Sequence, residues 1–209
     1  VIGHKNDPGV DILSIVYKYG INDKFSDEVI KELDNIPNEV SESEKQGRRD
    51  LRDKVIFTID GDDTKDIDDA VSIEKKGDNY ILGVHIADVS YYVKEGTELY
   101  KEAYDRSTSV YLVDRVIPML PHKLSNGICS LNPNVDRLAI SCVMEINPNG
   151  KVVNHDIFES VIRSRKQMTY NNVNKILKNE EIPEGYEEFS EDLKLMNELA
   201  KILRKNKLN

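Results

Sequence analysis

Six carboxylates, Asp60, Asp62, Asp63, Asp66, Asp68 and Asp69, fall within ten residues of one stretch, Thr58-Ile59-Asp60-Gly61-Asp62-Asp63-Thr64-Lys65-Asp66-Ile67-Asp68-Asp69-Ala70. Two like charges about 4 Å apart repel by roughly 4 kcal/mol at an effective dielectric near 20. A solvated acidic loop is the default reading of such a run. Here the flanking segments Val55–Ile59 and Ala70–Ile73 read as strands, so the acids are held at strand ends or in a tight turn. Without a cation they would carry raised pKa values and cost stability. Oxygen-only donors select hard cations, Mg²⁺, Mn²⁺ or Ca²⁺, over zinc or copper.

Three chemistries fit such a cluster to different degrees. A calcium-binding EF-hand loop needs glycine at its sixth position and glutamate at its twelfth. A loop starting at Asp60 has Lys65 and Val71 there, and one starting at Asp62 has Ile67 and Ile73, which argues against calcium storage. The run Val55-Ile56-Phe57-Thr58-Ile59-Asp60-Gly61-Asp62-Asp63-Thr64 resembles the strand and DxDxT motif of haloacid dehalogenase-type phosphatases, with Asp60 as nucleophile and Asp62 handling the proton. That fold needs a helix after the loop, whereas Asp68-Asp69-Ala70-Val71-Ser72-Ile73 starts a strand, and Asp66, Asp68 and Asp69 are left without a task. The third reading uses them all. Asp60-x₅-Asp66-x-Asp68-Asp69 supplies four carboxylates, enough to ligate Mg²⁺ with sites left open for phosphate oxygens and water. In phosphodiester hydrolysis one or two such ions, the pair about 4 Å apart, generate hydroxide and stabilise the leaving oxygen.

The elements that must position these acids alternate with period two. Lys54–Ile59 is a strand entering the cluster and Ala70–Glu74 a strand leaving it; the turn Lys76-Gly77-Asp78-Asn79 leads into Tyr80–Ala87. A second hairpin runs from Leu138–Ile146 through Asn147-Pro148-Asn149-Gly150 to Val152–Ile162. Helices are predicted over 7–20, with Asp7 as N-cap and Gly20 as stop, from Ser26, over Thr97–Asp105 and over Thr169–Lys178. Residues 37–50 are polar throughout and read as a linker or boundary. Phe189, Leu193, Met196, Leu199 and Leu203 lie at helical spacing, a stripe that reads as core. The expected class is α+β, a mixed, largely antiparallel sheet with hairpins and packed helices behind a helical lead-in.

Composition sets the frame. The chain has 209 residues, 39% hydrophobic and 32% charged, a globular balance. Its apolar runs are strand-sized and its first residues lack the layout of a secretory signal, so a cytoplasmic setting without membrane contact is the expectation. Cys129 and Cys142 form no ligand pattern and read as reduced thiols. The net charge of −9 argues against binding a nucleic-acid backbone by bulk electrostatics, while leaving room for a local groove.

Five motifs in order carry a more specific signal: Thr58-Ile-Asp60-Gly-Asp-Asp-Thr-Lys-Asp66-Ile-Asp68-Asp69-Ala70, Val84-His-Ile-Ala-Asp-Val-Ser90, Ser109-Val-Tyr111-Leu112, Arg115-Val-Ile-Pro-Met-Leu-Pro121 and Leu124-Ser-Asn-Gly-Ile-Cys-Ser-Leu-Asn-Pro133. Together they resemble the RNB catalytic domain of the ribonuclease II and ribonuclease R family, over roughly Gly47 to Lys178. Residues 3–11 resemble the segment joining a cold-shock barrel to the catalytic domain in ribonuclease R. The resemblance implies two parts, a lead-in over 1–46 and the N-terminal part of an RNB domain over 47–209. It implies a processive 3′→5′ exoribonuclease that hydrolyses single-stranded RNA with a free 3′ end to 5′-mononucleotides in Mg²⁺ or Mn²⁺, with no obligate protein partner.

Carried over by position, Asp60, Asp66, Asp68 and Asp69 match the family's four catalytic acids. Asp60, Asp66 and Asp69 would ligate metal, and Asp68 matches the acid whose loss is most damaging. Tyr111 matches the aromatic that stacks on the terminal base; stacking of this kind is worth about 1–3 kcal/mol and ignores base identity. His85 reads as a satisfied strand histidine, Asp62 and Asp63 as charges outside the ligand set, and Asp136 and Arg137 as holding either phosphates or structure. Tyr91, Val113 and His122 stand where many members have His, Pro and Glu. The family's RNB domain extends further and carries an arginine-rich strand beyond these residues, so a piece of this length is expected to be inactive alone. An RNA-binding scaffold with a disused site is the remaining alternative.

Overall fold

In the computed structural model, which describes residues 3, 4 and 6–207, the helices are α1 (Val10–Lys18), α2 (Asp27–Glu32), α3 (Glu42–Lys45), α4 (Val89–Tyr92), α5 (Glu98–Arg106), α6 (Tyr170–Leu177) and α7 (Ser190–Lys207). The strands are β1 (Arg49–Asp50), β2 (Phe57–Asp60), β3 (Asp69–Lys76), β4 (Asn79–Ala87), β5 (Val110–Tyr111), β6 (Val116–Ile117), β7 (Asp136–Ile146), β8 (Val152–Arg163) and β9 (Lys166–Thr169). They divide into two units. One comprises the residues through Pro37 with Val89–Leu124, the other Asn38–Asp88 with the residues from Ser125 onward.

The first unit is helical with a short ribbon. Its first helix begins at Val10, three residues later than the predicted Asp7 cap. The Asp7 carboxylate accepts from the His4 N–H at 2.8 Å and so serves the preceding turn. Gly9, at φ 79°, makes the entry to the helix that Pro8 and Asp7 do not. Ser26, where the second helix is predicted to begin, caps α2 by accepting from the Val29 N–H, and Thr97 caps α5 through the Tyr100 N–H. The two helices are tied at that end: Glu32 of α2 accepts from the Glu98 and Leu99 N–H groups at 2.9 and 2.8 Å, a carboxylate placed on the positive end of α5. Strands β5 and β6 pair antiparallel, with Tyr111 opposite Val116.

The second unit is a seven-stranded sheet in the order β1-β8-β7-β4-β3-β2-β9, antiparallel except for β1 on β8 and β9 on β2. The expected hairpins stand. Gly77, at φ 59°, turns β3 into β4, and Asn147 Oδ1 accepts from the N–H groups of Asn149 and Lys151 to close the β7–β8 turn. One face of the sheet is covered by helices. Phe57 and Met168 pack with Val173 and Ile176 of α6 and with Phe189 and Leu193, while Ile73, Tyr80 and Ile146 pack with Leu199 of α7. The predicted stripe is therefore core, and it packs on the sheet that precedes it. Tyr80 donates its hydroxyl to Glu198, a second tie between sheet and α7.

Residues 37–50 are not the open linker that their polarity suggests. Glu44 accepts from both the N–H and the hydroxyl of Ser41 at 2.7 Å to start α3, and Arg49 and Asp50 pair in parallel with Ser160 and Val161. Short polar strands such as β1 carry no period-two hydrophobic signal, so their pairing is set by the partner strand.

Candidate active site

Strand β2 delivers the first acid. Ile56, Phe57 and Thr58 are buried between neighbours, and the strand runs in register with β9, which brings Asp60 opposite Thr169. The chain then leaves the sheet for eight residues and returns at Asp69, the first residue of β3. Ile67 plugs this loop into the core with no exposed surface, which explains an isoleucine amid the acids. Backbone bonds fix the return, with the Ala87 N–H on the Asp68 carbonyl at 2.9 Å and the Leu131 N–H on the Ile67 carbonyl at 2.9 Å. Side chains hold the rest. Gln167 donates to the Thr64 carbonyl at 2.9 Å, Asn171 donates to Asp62 Oδ2 at 2.8 Å, and the Ser130 hydroxyl bridges Lys65 and Ile67.

The four acids lie within one another's field. Burial raises the Asp60 pKa above the usual carboxylate range; the Thr58 hydroxyl opposes this, and the charges of Asp69 and then Asp66 add to the rise. Asp68 keeps solvent contact but is likewise raised, by the protein mass around it first and then by Asp66, Asp69 and Asp60. No lysine or arginine is among the groups that shift either acid. Asp60 Oδ2 and Thr58 Oγ1 are buried without a hydrogen bond of good geometry in the protein, and such orphaned polar atoms are uncommon in native interiors. An all-carboxylate donor set with a buried, unsatisfied oxygen and two members, Asp60 and Asp68, whose pKa values are raised fits a hard divalent cation. Among the described residues, no three His, Cys, Asp or Glu side chains converge closely enough to form a finished metal site.

The remaining sequence expectations fall as follows. Asp62 is bound to Asn171 at the start of α6, outside the four, and Asp63 is exposed. His85 is 1% exposed, its Nδ1 2.7 Å from Ser141 Oγ and its Nε2 3.2 Å from Ser72 Oγ. Burial pushes its pKa down to about 4, so it is a neutral, satisfied strand histidine. An open concavity of about 510 Å³ on this sheet face is lined by His85, Ser72, Val143 and Phe158, and it includes none of the four acids.

Asp136 and Arg137 hold structure. Asp136 receives Lys45 at 2.7 Å, Arg52 at 3.1 Å and Arg163 at 2.7 Å; against the burial that would raise its pKa, these cations pull it below the usual range. Arg137 is buried and donates to the carbonyls of Ser130, Gly127 and Asp136. Both cysteines are free, and burial pushes the Cys129 thiol up to about 12, leaving it unreactive. Tyr111, 69% exposed, belongs to the first unit. Sequence reasoning passed over Ser130 and Gln167, which reach the acidic loop from 65 and 103 residues away; only the register of the sheet brings them there.

The loop is followed by the antiparallel strand β3 rather than by a helix, which removes the structural condition for a haloacid dehalogenase-type phosphatase. Comparisons with known proteins agree. The model of the RNB domain matches residues 48–209. Ribonuclease R of Thermotoga maritima is 52% identical over 207 residues, covering 98% of this chain and 29% of the relative. Ribonuclease R 1 of Lactococcus lactis is 49% identical over 205 residues, covering 97% of this chain and 25% of the relative. The chain thus spans under a third of the length of these curated relatives. Mycoplasma genitalium RNase R, solved in complex with double-stranded RNA, matches with a TM-score of 0.92 at 30% identity over 99% of this chain and 37% of that one. Yeast Ssd1, a pseudonuclease, shares the fold alone, with a TM-score of 0.76 at 19% identity over 96% of this chain and 25% of that one.

Proposed function

The chain belongs to the RNB-domain family, and on that premise we propose that it carries the acidic active site of a metal-dependent, processive 3′→5′ exoribonuclease acting on single-stranded RNA and releasing 5′-mononucleotides. The observation that carries this reading is the run of four carboxylates held from the end of β2 to the start of β3, with Asp60 and Asp68 raised by burial and by their acidic neighbours and Asp60 Oδ2 buried without a hydrogen bond of good geometry.

Asp60, Asp66 and Asp69 would hold Mg²⁺ or Mn²⁺, which when bound supplies Lewis acidity to activate water and to steady charge on a phosphodiester. The chain's own residues do the rest. Asp68, whose carboxylate is made more basic by burial and by its acidic neighbours, is suited to take the proton from attacking water at its carboxylate oxygen. The buried Ile67 and the bonds to Thr64, Lys65 and Asp68 keep the loop from spreading under its own repulsion. Tyr111 would offer its exposed ring to the 3′-terminal base, a contact that is indifferent to sequence and therefore suits processive degradation.

Relatives more than three times as long supply further surface, and with a net charge of −9 this chain needs it to hold a polyanion. The 209-residue chain is therefore expected to be inactive by itself. The test is 5′-labelled RNA incubated with the full-length protein in Mg²⁺ or EDTA, with its 3′ end free or sealed in a blunt duplex. Metal-dependent release of mononucleotides that requires the free end supports the reading. RNA binding without cleavage in either condition overturns it in favour of a scaffold.

A further inference from the structure

The acidic loop is held in place by a serine that is remote in sequence. Ser130 has no exposed surface. Its hydroxyl donates to the Lys65 carbonyl at 2.7 Å and accepts from the Ile67 N–H at 3.1 Å, so its one proton and an acceptor lone pair are used on the two peptides that flank Asp66. The next residue adds a backbone bond, from the Leu131 N–H to the Ile67 carbonyl. Ser130 is itself fixed. Its carbonyl accepts from Arg137 Nε at 2.7 Å, and the same guanidinium donates to the Gly127 carbonyl at 3.1 Å. Arg137 is only 7% exposed, and its planar fork sets the angle between the two carbonyls as an ammonium cannot.

We propose that Ser130, braced by Arg137, is a positioning residue that sets the spacing of the catalytic carboxylates without touching substrate. The inference rests on reading the acids as a metal-dependent nuclease site. Four like charges on eight loop residues and two strand ends push apart, and the hydroxyl clamps the backbone at the point where the strands no longer do. Replacing Ser130 with alanine removes one oxygen and leaves the Ile67 N–H and the Lys65 carbonyl without that partner in the interior. A displacement on the order of 1 Å at a catalytic group can cost about 100-fold in rate.

The test compares full-length wild-type protein with Ser130→Ala and Arg137→Lys. The readouts are kcat and KM on single-stranded RNA, Mn²⁺ affinity by electron paramagnetic resonance, and hydrogen exchange over residues 61–69. For both variants we expect kcat to fall about 10- to 100-fold with KM for RNA within about twofold. Mn²⁺ binding should weaken, and exchange should rise in residues 61–69 but not in the β7–β8 hairpin. A merely structural role would raise exchange throughout and move KM with kcat. Unchanged kcat and Mn²⁺ affinity in both variants would overturn the proposal. If Ser130→Ala fails to fold, Arg137→Lys decides by the same measures, since it keeps the charge and loses only the fork. If the wild type neither cleaves RNA nor binds Mn²⁺, the nuclease reading has failed, and exchange alone then judges the clamp: a rise confined to residues 61–69 upholds it and no rise overturns it.

Discussion

Asp60 closes β2 and Asp69 opens the adjoining β3, and the Asp69 charge adds to burial in holding the Asp60 carboxyl above the usual carboxylate range. One strand of the sheet thus ends, and its neighbour begins, on like charges that lie within each other's field. The arrangement costs stability at neutral pH, since a carboxyl with a raised folded pKa favours the fold when protonated and opposes it once ionised. Function and stability pull against each other here.

Neutralising one of these acids therefore has two opposite effects. Asp60→Asn or Asp68→Asn in the full-length protein should abolish RNA cleavage while leaving RNA binding within a few-fold of wild type. In metal-free buffer at pH 7 the same variants should melt higher, Asp60→Asn more than the solvent-exposed Asp68→Asn, because the ionised carboxylate opposes the fold. Cleavage assays and thermal melts in EDTA check both. Full activity in Asp68→Asn, or a lower melting temperature for both variants, would count against the electrostatic account.

Metal should reverse the same penalty. Saturating Mg²⁺ or Mn²⁺ is expected to raise the wild-type melting temperature, with about 2.7 kcal/mol of stabilisation at a hundredfold excess over Kd. The Asp60→Asn variant should lose most of that gain. Equal gains in both proteins would place the ion elsewhere.

Tyr111 tests the contact with the terminal base. Its ring is largely exposed, so Tyr111→Ala should change the melting temperature little. Losing a stacked base worth about 1–3 kcal/mol should weaken the grip on short RNA and change the length of the final product, as read on a sequencing gel. An unaltered product ladder would remove Tyr111 from the RNA path.

His85 predicts a pH dependence. Its folded pKa is about 4 against an ordinary value of 6.5, so the unfolded chain binds the extra proton first as pH falls. The contribution of the neutral ring is fully present above about pH 6.5 and is lost on going down toward about pH 4, up to about 3 kcal/mol for such a shift. Melts between pH 7 and pH 4.5 should fall more steeply for the wild type than for His85→Gln, which cannot titrate. Parallel curves would refute the assignment. Because His85 touches none of the four acids' loop, activity per folded molecule at pH 7 should survive the substitution.

Asp136 should behave as structure. Removing a largely buried carboxylate that receives Lys45, Arg52 and Arg163 takes a shared partner from all three, with Lys45 left to Glu42 and Arg52 to Asp50, at a cost of roughly 1–3 kcal/mol. Asp136→Ala is expected to lower the melting temperature markedly, while kcat at a permissive temperature stays near wild type. A selective loss of RNA affinity with unchanged stability would instead make it a substrate contact.

Much of this was legible in the sequence because it depends on short-range rules. The acids stand in one run, the strands beside them alternate with period two, the caps at Ser26, Thr97 and Thr169 precede their helices by one residue, and the helical stripe from Phe189 onward is core. Where local rules compete, the reading slipped. Asp7-Pro8-Gly9 can start a helix or turn the chain, and the left-handed Gly9 decided for the turn. A polar strand such as β1 has no pattern of its own and forms because β8 offers it an edge.

Tertiary structure alone decided the roles that depend on distance through space. Whether Arg137 held phosphate or protein turned on its burial against the Ser130 and Gly127 carbonyls. The clamp on the acidic loop needs β7 beside β4 and β9 beside β2, so that Ser130 and Gln167 arrive at a loop far away in sequence. The sequence determines which charges must be gathered, because residue types are local. How closely they can be gathered depends on hydrogen bonds from distant segments, since repulsion among like charges is opposed only by groups that the fold brings to them.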